Sequence, residues 1–527
     1  MRKYIHGVII SCFYVSILLL PAGLSAQIHV STDGSDSNDG SVYAPLLTIQ
    51  HAVDIAQPGD TVWVHGGRYP ISECIIIPQK QTTETLRCYL WAAGDGEVII
   101  DASDMKHTTK SGFKAGRCFY VNHLANYWHF KGLTMCNAED SGMKVEGSYN
   151  IIEQCVFHDN NDTGLQIGMT MALTAIPGFP AGLPYANPDY QFCRGNIVIN
   201  CDSYNNANLR MYNGAKDDGG NADGFACKLY PGPGTEFHGC RAWNNSDDNW
   251  DLYMVYHPVL IETCWAYRAG YTPDGKAIGN GNGFKLGGGG SSGGAAFPRS
   301  IGAHVVKNCV AFGNLTRGFD QNYAAEDMYL FNNTAWGNAY NYCFPDSLLH
   351  GTYVVRNCVG FNATQCNHVF NTSAVSDNMD YNSWTVLDRC NLYMEGEKNA
   401  EGARMQTADY SQEFVSLSVE DFMAPRQSDG SLPDSGFARL KPNSILCDKG
   451  KAVAGFVPKR FITSDEANDK GLIELRSVTI EYNGTAPDLG AYETDGGNIV
   501  KKKDKGVIKQ AAAKVMWLVS AFQSVFL

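Results

Sequence analysis

Basic residues are in short supply in this chain. Its 527 residues include 41 Lys and Arg against 54 Asp and Glu, a formal net charge of −13. That balance excludes a basic face able to neutralise a row of phosphates, so no nucleic acid is expected as partner. An acidic polymer stays open, provided a bound cation and a few local lysines reverse the sign where it lies. Long apolar runs are also missing. The stretches Val8 to Leu20 and Val515 to Leu527 both fall short of the about 20 residues that span a bilayer. Helical periodicity is scarce, which leaves strands to build the core. The polar stretches hold no His or Cys grouping at zinc spacing, which argues against a transition-metal centre.

The N-terminus reads as an export signal. Arg2 and Lys3 precede the Val8 to Leu20 run, and small residues lead to a cut after Ala26. Residues 1–26 are therefore assigned to a signal peptide. The mature chain is expected to be secreted, periplasmic or at the cell surface, with no stable membrane span after cleavage. An N-terminal anchor is the competing reading of the same residues.

Cysteine is plentiful at 17, and in an exported protein that normally points to disulfides. The placement points elsewhere. One Cys recurs in a short motif: Gln154-Cys155-Val156-Phe157, Asn200-Cys201, Gly239-Cys240-Arg241-Ala242-Trp243, Thr263-Cys264-Trp265, Asn308-Cys309-Val310-Ala311-Phe312 and Asn357-Cys358-Val359-Gly360-Phe361. Asn333-Thr334-Ala335-Trp336 keeps the motif without the Cys. The shortest steps are about 24–25 residues, a period suited to stacked repeats. Each Cys then lies above another as a small buried apolar side chain, reduced rather than bonded. Lateral stacking does not forbid the bonds.

Each repeat is strand-rich and broken by Asn, Gly and Asp. The expected fold is all-β: a right-handed parallel β-helix, a solenoid with an N-terminal cap helix. Leu46, Leu47, Ile49, Ala52, Val53 and Ile55 supply the apolar face of that helix within Pro45 to Ala56. The β-helix is expected over residues 27–497, losing regularity after Asn382. The tail, 498–527, has no assigned role. Longer steps between Cys155 and Cys201, Cys201 and Cys240, and Cys264 and Cys309 hold insertions, which repeat proteins often gather on a binding face.

Those insertions flank the most polar stretch. Its pieces, Asp223-Gly224-Phe225-Ala226, Asp248-Asn249-Trp250-Asp251 and Asn282-Gly283-Phe284-Lys285, follow one template. Aligning Phe225, Trp250 and Phe284 puts Asp223, Asp248 and Asn282 in one column and Ala226, Asp251 and Lys285 in another. Columns on parallel strands rise by roughly 4.8 Å per step. Asp223, Asp247, Asp248 and Asp251 would crowd against Lys285, a cluster that calls for a cation. Hard carboxylate oxygens suit Ca2+. Taken singly, Asp247 and Asp248 could instead shape Asx turns.

The Asn-Ala-Asp-Gly-Phe-Ala, Arg-Ala-Trp-Asn-Asn-Ser-Asp-Asp and Asn-Gly-Phe-Lys-Leu-Gly pieces resemble polysaccharide lyase family nine. The resemblance covers most of the mature chain in outline, including the cap helix and the closing Gly490-Ala491-Tyr492-Glu493, and is specific from Asp223 to Asn322. It implies a pectate-lyase-like β-helix acting on pectic polymers with Ca2+ and a lysine base. By that resemblance the Ca2+ aspartates are Asp223, Asp247, Asp248 and Asp251, and the base is Lys285. Abstracting a proton α to a uronate carboxylate needs a neutral base; the cation and desolvation favour that state, while the aspartates oppose it. Lys228, Arg317 and Asn322 are candidates to grip substrate, with Arg210 and Tyr212 on an insertion loop beside Lys216, Asp217 and Asp218.

Three classes stay in play: an endo-acting Ca2+-dependent lyase, a polygalacturonase-like hydrolase and a non-catalytic glycan-binding β-helix. The hydrolase also needs a Gly-His-Gly and an Arg-x-Lys. Here His238 lacks the leading Gly, and the stretch from Asp223 to Asn322 holds no Arg-x-Lys. The expected partner is an acidic plant cell-wall polysaccharide, and the protein is expected to be a monomer. The rhamnogalacturonan backbone is favoured over polygalacturonate because Met169, Met171, Phe179, Tyr185, Tyr190, Tyr212, Tyr230, Tyr256 and Tyr271 give the insertions an apolar character with few lysines.

Overall fold

One corner of the repeating coils is turned on residues held in the left-handed region. Gln154, Asn200, Gly239, Thr263, Asn308, Asn332 and Asn357 all have φ between 50° and 61°, and each directly precedes the recurring Cys or Asn333. Asn tolerates that backbone better than most residues with a Cβ, which is why Asn-Cys recurs at the bend. The computed structural model describes residues 25–105, 116–169, 193–210, 219–289, 303–346, 348, 351–388, 407–457 and 477–494.

Between the bends run short strands that stack on the next coil in parallel, forming three sheets of eleven, ten and ten strands among the described residues. The chain visits the sheets in rotation, so the architecture is the expected right-handed parallel β-helix. The first strand begins at Gln27 and the last ends at Phe370, so the regular coils stop before Asn382. Later residues lie against the outside of the coils. Phe422 and Phe437 pack on Trp243, Trp265 and Phe312, and Val453, Val478 and Ile480 pack on Tyr329 and Phe331.

The cap helix α1 (Ile49–Ile55) is shorter than the apolar stretch that announces it. The Thr48 hydroxyl accepts from the His51 amide at its start, and Ile49, Ala52 and Val53 close the first coil. Leu47 and Ile55 are exposed, so they are not part of the covering face. The signal segment and the 498–527 tail lie outside the described residues. No helix among the described residues is long and apolar enough to cross a membrane.

Two interior ladders hold the coils in register. All fifteen described cysteines are free, and twelve are buried. In the repeating column the Cys155 amide donates to Cys201 Sγ at 3.4 Å and the Cys264 amide to Cys309 Sγ at 3.5 Å. Asn333 stands in for a thiol, accepting from the Cys309 amide at 2.9 Å. The second ladder is of asparagines: Asn160, Asn206 and Asn245 pass hydrogen bonds from coil to coil at 2.9 Å.

Five neighbouring strands of one ten-stranded sheet build the floor of the site. They are β1 (Leu165–Ile167), β2 (Phe225–Cys227), β3 (Trp250–Asp251), β4 (Asn282–Lys285) and β5 (Arg317–Asp320). Phe225, Trp250, Phe284 and Phe319 point inward and stack with ring centroids 4.7 to 5.0 Å apart. Alternation along a strand then sends their neighbours Ala226, Asp251, Lys285 and Asp320 outward.

Candidate active site

The register of these strands places Ala226, Asp251, Lys285 and Asp320 directly beside one another. Asp223 and Asp248 sit in the turns that lead into β2 and β3, two residues ahead of the inward aromatics. Asp223, Asp248 and Asp251 each bring a carboxylate oxygen within 4.8 Å of the other two, and all three are buried. Two lysines face them. Lys285 Nζ donates to Asp248 Oδ2 at 2.9 Å and lies 3.4 Å from Asp251 Oδ1. Lys228 Nζ bonds Asp223 Oδ2 and lies 3.3 Å from Asp251 Oδ2.

Asp247 belongs to the same loop but stands beside the triad, outside the 4.8 Å grouping. Its Oδ1 accepts from the Asn280 amide at 2.7 Å. Asn282, given no role by its sequence, holds Asp248 Oδ1 with its amide at 2.9 Å and its side chain at 2.8 Å. Asn249 is the second residue that sequence reasoning missed. Ala269 interrupts the asparagine ladder, and Asn249 fills the gap, accepting from Asn245 Nδ2 at 2.9 Å and donating to Asn314 Oδ1 at 3.2 Å. Since Asn249 separates Asp248 from Trp250, this bridge clamps the loop that carries the aspartates. The only sequence signal was the recurrence of Asn after each bend.

Burial and mutual repulsion disturb the titration of the whole group. Burial raises Asp223 well above the usual carboxylate range; Lys228 pulls it back, while Asp251, Asp247 and Asp248 push it further. Burial and then Asp248 raise Asp247 to about 7. Burial raises Asp248 against the pull of Lys285. For Lys285 burial works to lower the pKa, yet Asp248 and Asp251 hold it well above the ordinary lysine value. Among the described residues two buried oxygens, Asp251 Oδ1 and Asn282 Oδ1, make no hydrogen bond, Asp251 Oδ1 having only the Lys285 amine at 3.4 Å. Hard oxygens, close together and incompletely satisfied, fit a cation such as Ca2+.

The weaker candidates separate. Arg317 and Asp320 form an ion pair at 3.0 Å one strand beyond Lys285, and burial raises Asp320 to about 6. Asn322 donates to the Gly287 carbonyl at 3.3 Å. Arg210 is exposed, and its guanidinium comes no nearer than 4.0 Å to Glu139. Tyr212, Lys216, Asp217 and Asp218 lie outside the described residues.

Fold and site together define a right-handed parallel β-helix one of whose sheets carries a carboxylate triad beside two lysines. The chain belongs to the Pel9A-like family of such helices, whose model matches residues 28–368, in keeping with the resemblance to polysaccharide lyase family nine. Among curated proteins it is 32% identical over 484 residues to pectate lyase L of Dickeya dadantii (strain 3937), covering 90% of this chain and 92% of the relative. It is 31% identical over 454 residues to pectate lyase PEL9 of Emericella nidulans, covering 80% and 94%. Among solved structures, pectate lyase Pel9A superposes with a TM-score of 0.65 at 30% identity, covering 89% of this chain and 97% of that one. A rhamnogalacturonan lyase shares the fold, with a TM-score of 0.61 at 24% identity, covering 79% and 96%.

Proposed function

We propose that this protein is an exported, endo-acting lyase that cleaves pectic polysaccharide by β-elimination, with Ca2+ held by Asp223, Asp248 and Asp251 and with Lys285 as the base. The observation that carries the reading is the triad facing Lys285 across adjacent strands. Asp247, on the same loop and electrostatically coupled to these three, is the fourth proposed ligand. When bound, the cation supplies Lewis-acid stabilisation to the negative charge that develops on the uronate carboxylate. The residues do the rest. Lys285 stands one strand from Asp251, where its amine, once neutral, can take the C5 proton; that C–H pair becomes the C4=C5 bond as the C4–O bond breaks, and water protonates the leaving oxygen. With the carboxylates engaged elsewhere, the charges that hold a proton on Lys285 are offset, and burial then favours the neutral amine. Lys228, released from Asp223 by the same neutralisation, is placed to pair with a substrate carboxylate. Arg317 and Asn322 extend that grip one strand further.

Polygalacturonate is the substrate we favour. Of the side chains that suggested an apolar groove, Met169, Tyr230 and Tyr256 are buried packing residues, Tyr230 and Tyr256 stack on each other at 5.7 Å, and Tyr271 is half-buried under the Arg268 guanidinium. Met171, Phe179, Tyr185, Tyr190 and Tyr212 lie outside the described residues. The curated relatives named above are pectate lyases. The test is to incubate the protein with polygalacturonate and with rhamnogalacturonan, with Ca2+ and with excess chelator. Ultraviolet absorbance from an unsaturated sugar, larger on polygalacturonate and abolished by chelator, is the expected result. Shortened chains without that absorbance would make it a hydrolase. Binding with no shortening would make it a glycan-binding module.

A further inference from the structure

The outward column that carries Asp251 and Lys285 does not stop at the acidic site. From Ala226 it continues through Gln166 to Lys144 and Tyr120. Lys144 is thus four strands from Lys285, an axial separation of about 19 Å at roughly 4.8 Å per strand. It is 1% exposed, and among the described residues it donates no hydrogen bond and forms no ion pair. Other charged groups nearby are committed. Arg117 pairs with Asp140 at 3.0 Å, and the Tyr120 hydroxyl donates to Glu146 Oε2 at 2.7 Å. The other oxygen of that carboxylate, Glu146 Oε1, is buried without a hydrogen-bond partner.

A cation and an acceptor two residues apart are therefore both buried and both left with capacity to bond. Such groups destabilise a fold unless something satisfies them, and an apolar side chain at either place would carry no such penalty. Burial lowers the Lys144 amine to about 8, partly offset by Glu146, so near neutral pH it is still largely a cation. Lys228 and Lys285 are paired with carboxylates, and Lys144 forms no such pair among the described residues.

We propose that Lys144 and Glu146 form a distal subsite for a uronate residue of the acidic polysaccharide, the amine pairing with the sugar carboxylate and Glu146 accepting from a sugar hydroxyl. This rests on the pectic reading of the site. A sugar chain lying along the sheet advances by about one monosaccharide per strand spacing. Four strands is an even step, so a uronate falls at Lys144 whether every sugar is acidic or only alternate ones. The subsite is felt only by chains of about five sugars or more, counted from the one at Lys285.

The test compares trigalacturonate with hexagalacturonate by titration calorimetry on the full chain, wild type against Lys144→Met and Glu146→Gln. Lys144→Met is expected to weaken hexamer binding about tenfold or more, the scale of a lost charge-assisted contact, while trimer binding changes less than about twofold. Its melting temperature should not fall, because an unpaired buried amine is removed. Should Lys144→Met not fold, Lys144→Gln is read by the same length comparison. Unchanged hexamer binding, or equal weakening at both lengths, overturns the subsite. If the wild type binds neither oligomer, both the subsite and the pectic reading fall. A length-dependent loss in a protein that cleaves no polymer keeps the subsite and rejects only the lyase.

Discussion

Lys285 faces Asp248 and Asp251 in this structure, and both keep its proton in place. On the proposed reading, a base so held works only when a cation answers those charges, which would couple Ca2+ to catalysis through one amine. Lys285→Arg separates charge from basicity, since a guanidinium stays protonated at any working pH. Turnover on polygalacturonate should fall about 10²–10⁴-fold while oligosaccharide binding persists. In the wild type with saturating Ca2+, turnover should rise with pH as the amine loses its proton. Retention of more than about a tenth of wild-type turnover in Lys285→Arg lies well outside that range and would transfer the role to Lys228.

Among the elements, the segment after Phe370 is held to the coils by a buried charge cluster. Asp202 receives Arg241 Nη2 at 2.8 Å from the next coil and Arg426 Nη2 at 2.6 Å from the covering segment. Burial works to raise Asp202, but Arg426 and Arg241 hold it down at about 2. Its folded pKa lies below the ordinary 3.8, so its contribution is present above about pH 4 and is lost as pH falls towards 2. Asp202→Ala leaves two buried guanidiniums without their carboxylate, and breaking such a pair destabilises by roughly 3–5 kcal/mol. Denaturant unfolding at pH 7 should show that loss, and the difference from wild type should shrink as pH drops from 4 to 2. A constant difference across that window would mean that Asp202 acts through packing alone.

For the molecule as a whole, the proposed Ca2+ would relieve the repulsion among Asp223, Asp247, Asp248 and Asp251. Asp247 at about 7 binds its proton more tightly folded than unfolded, so the metal-free fold loses stability as pH rises from about 4 to 7. A ligand bound only by the folded state adds about 2.7 kcal/mol at a hundredfold excess over Kd. The rise in melting temperature on adding Ca2+ should therefore grow between pH 4 and 7, and Asp248→Ala should blunt it. Equal rises at both ends of the window would argue against the carboxylates as ligands. The cysteine ladder is a property of the same scale. Thiol titration of the denatured protein should find most cysteines reactive, and a mostly oxidised result in a carefully prepared sample would reject the ladder.

Much of this was readable in one dimension because a solenoid repeats. Phe225, Trp250 and Phe284 recur at a spacing that aligns Asp251 with Lys285, and the recurring Cys marks each bend; in stacked coils, register in sequence is register in space. Irregular features escaped that logic. Pairing depends on side-chain reach, so only the coordinates could show Lys228 on Asp223, Asp247 turned to the Asn280 amide, or Asn249 bridging the gap at Ala269. Burial is likewise a property of neighbours far along the chain. Tyr230 and Tyr256 look like groove residues when read in order and turn out to be packed against each other. Lys144 carries no motif at all, and its unpaired charge becomes visible only once four strands are laid between it and Lys285.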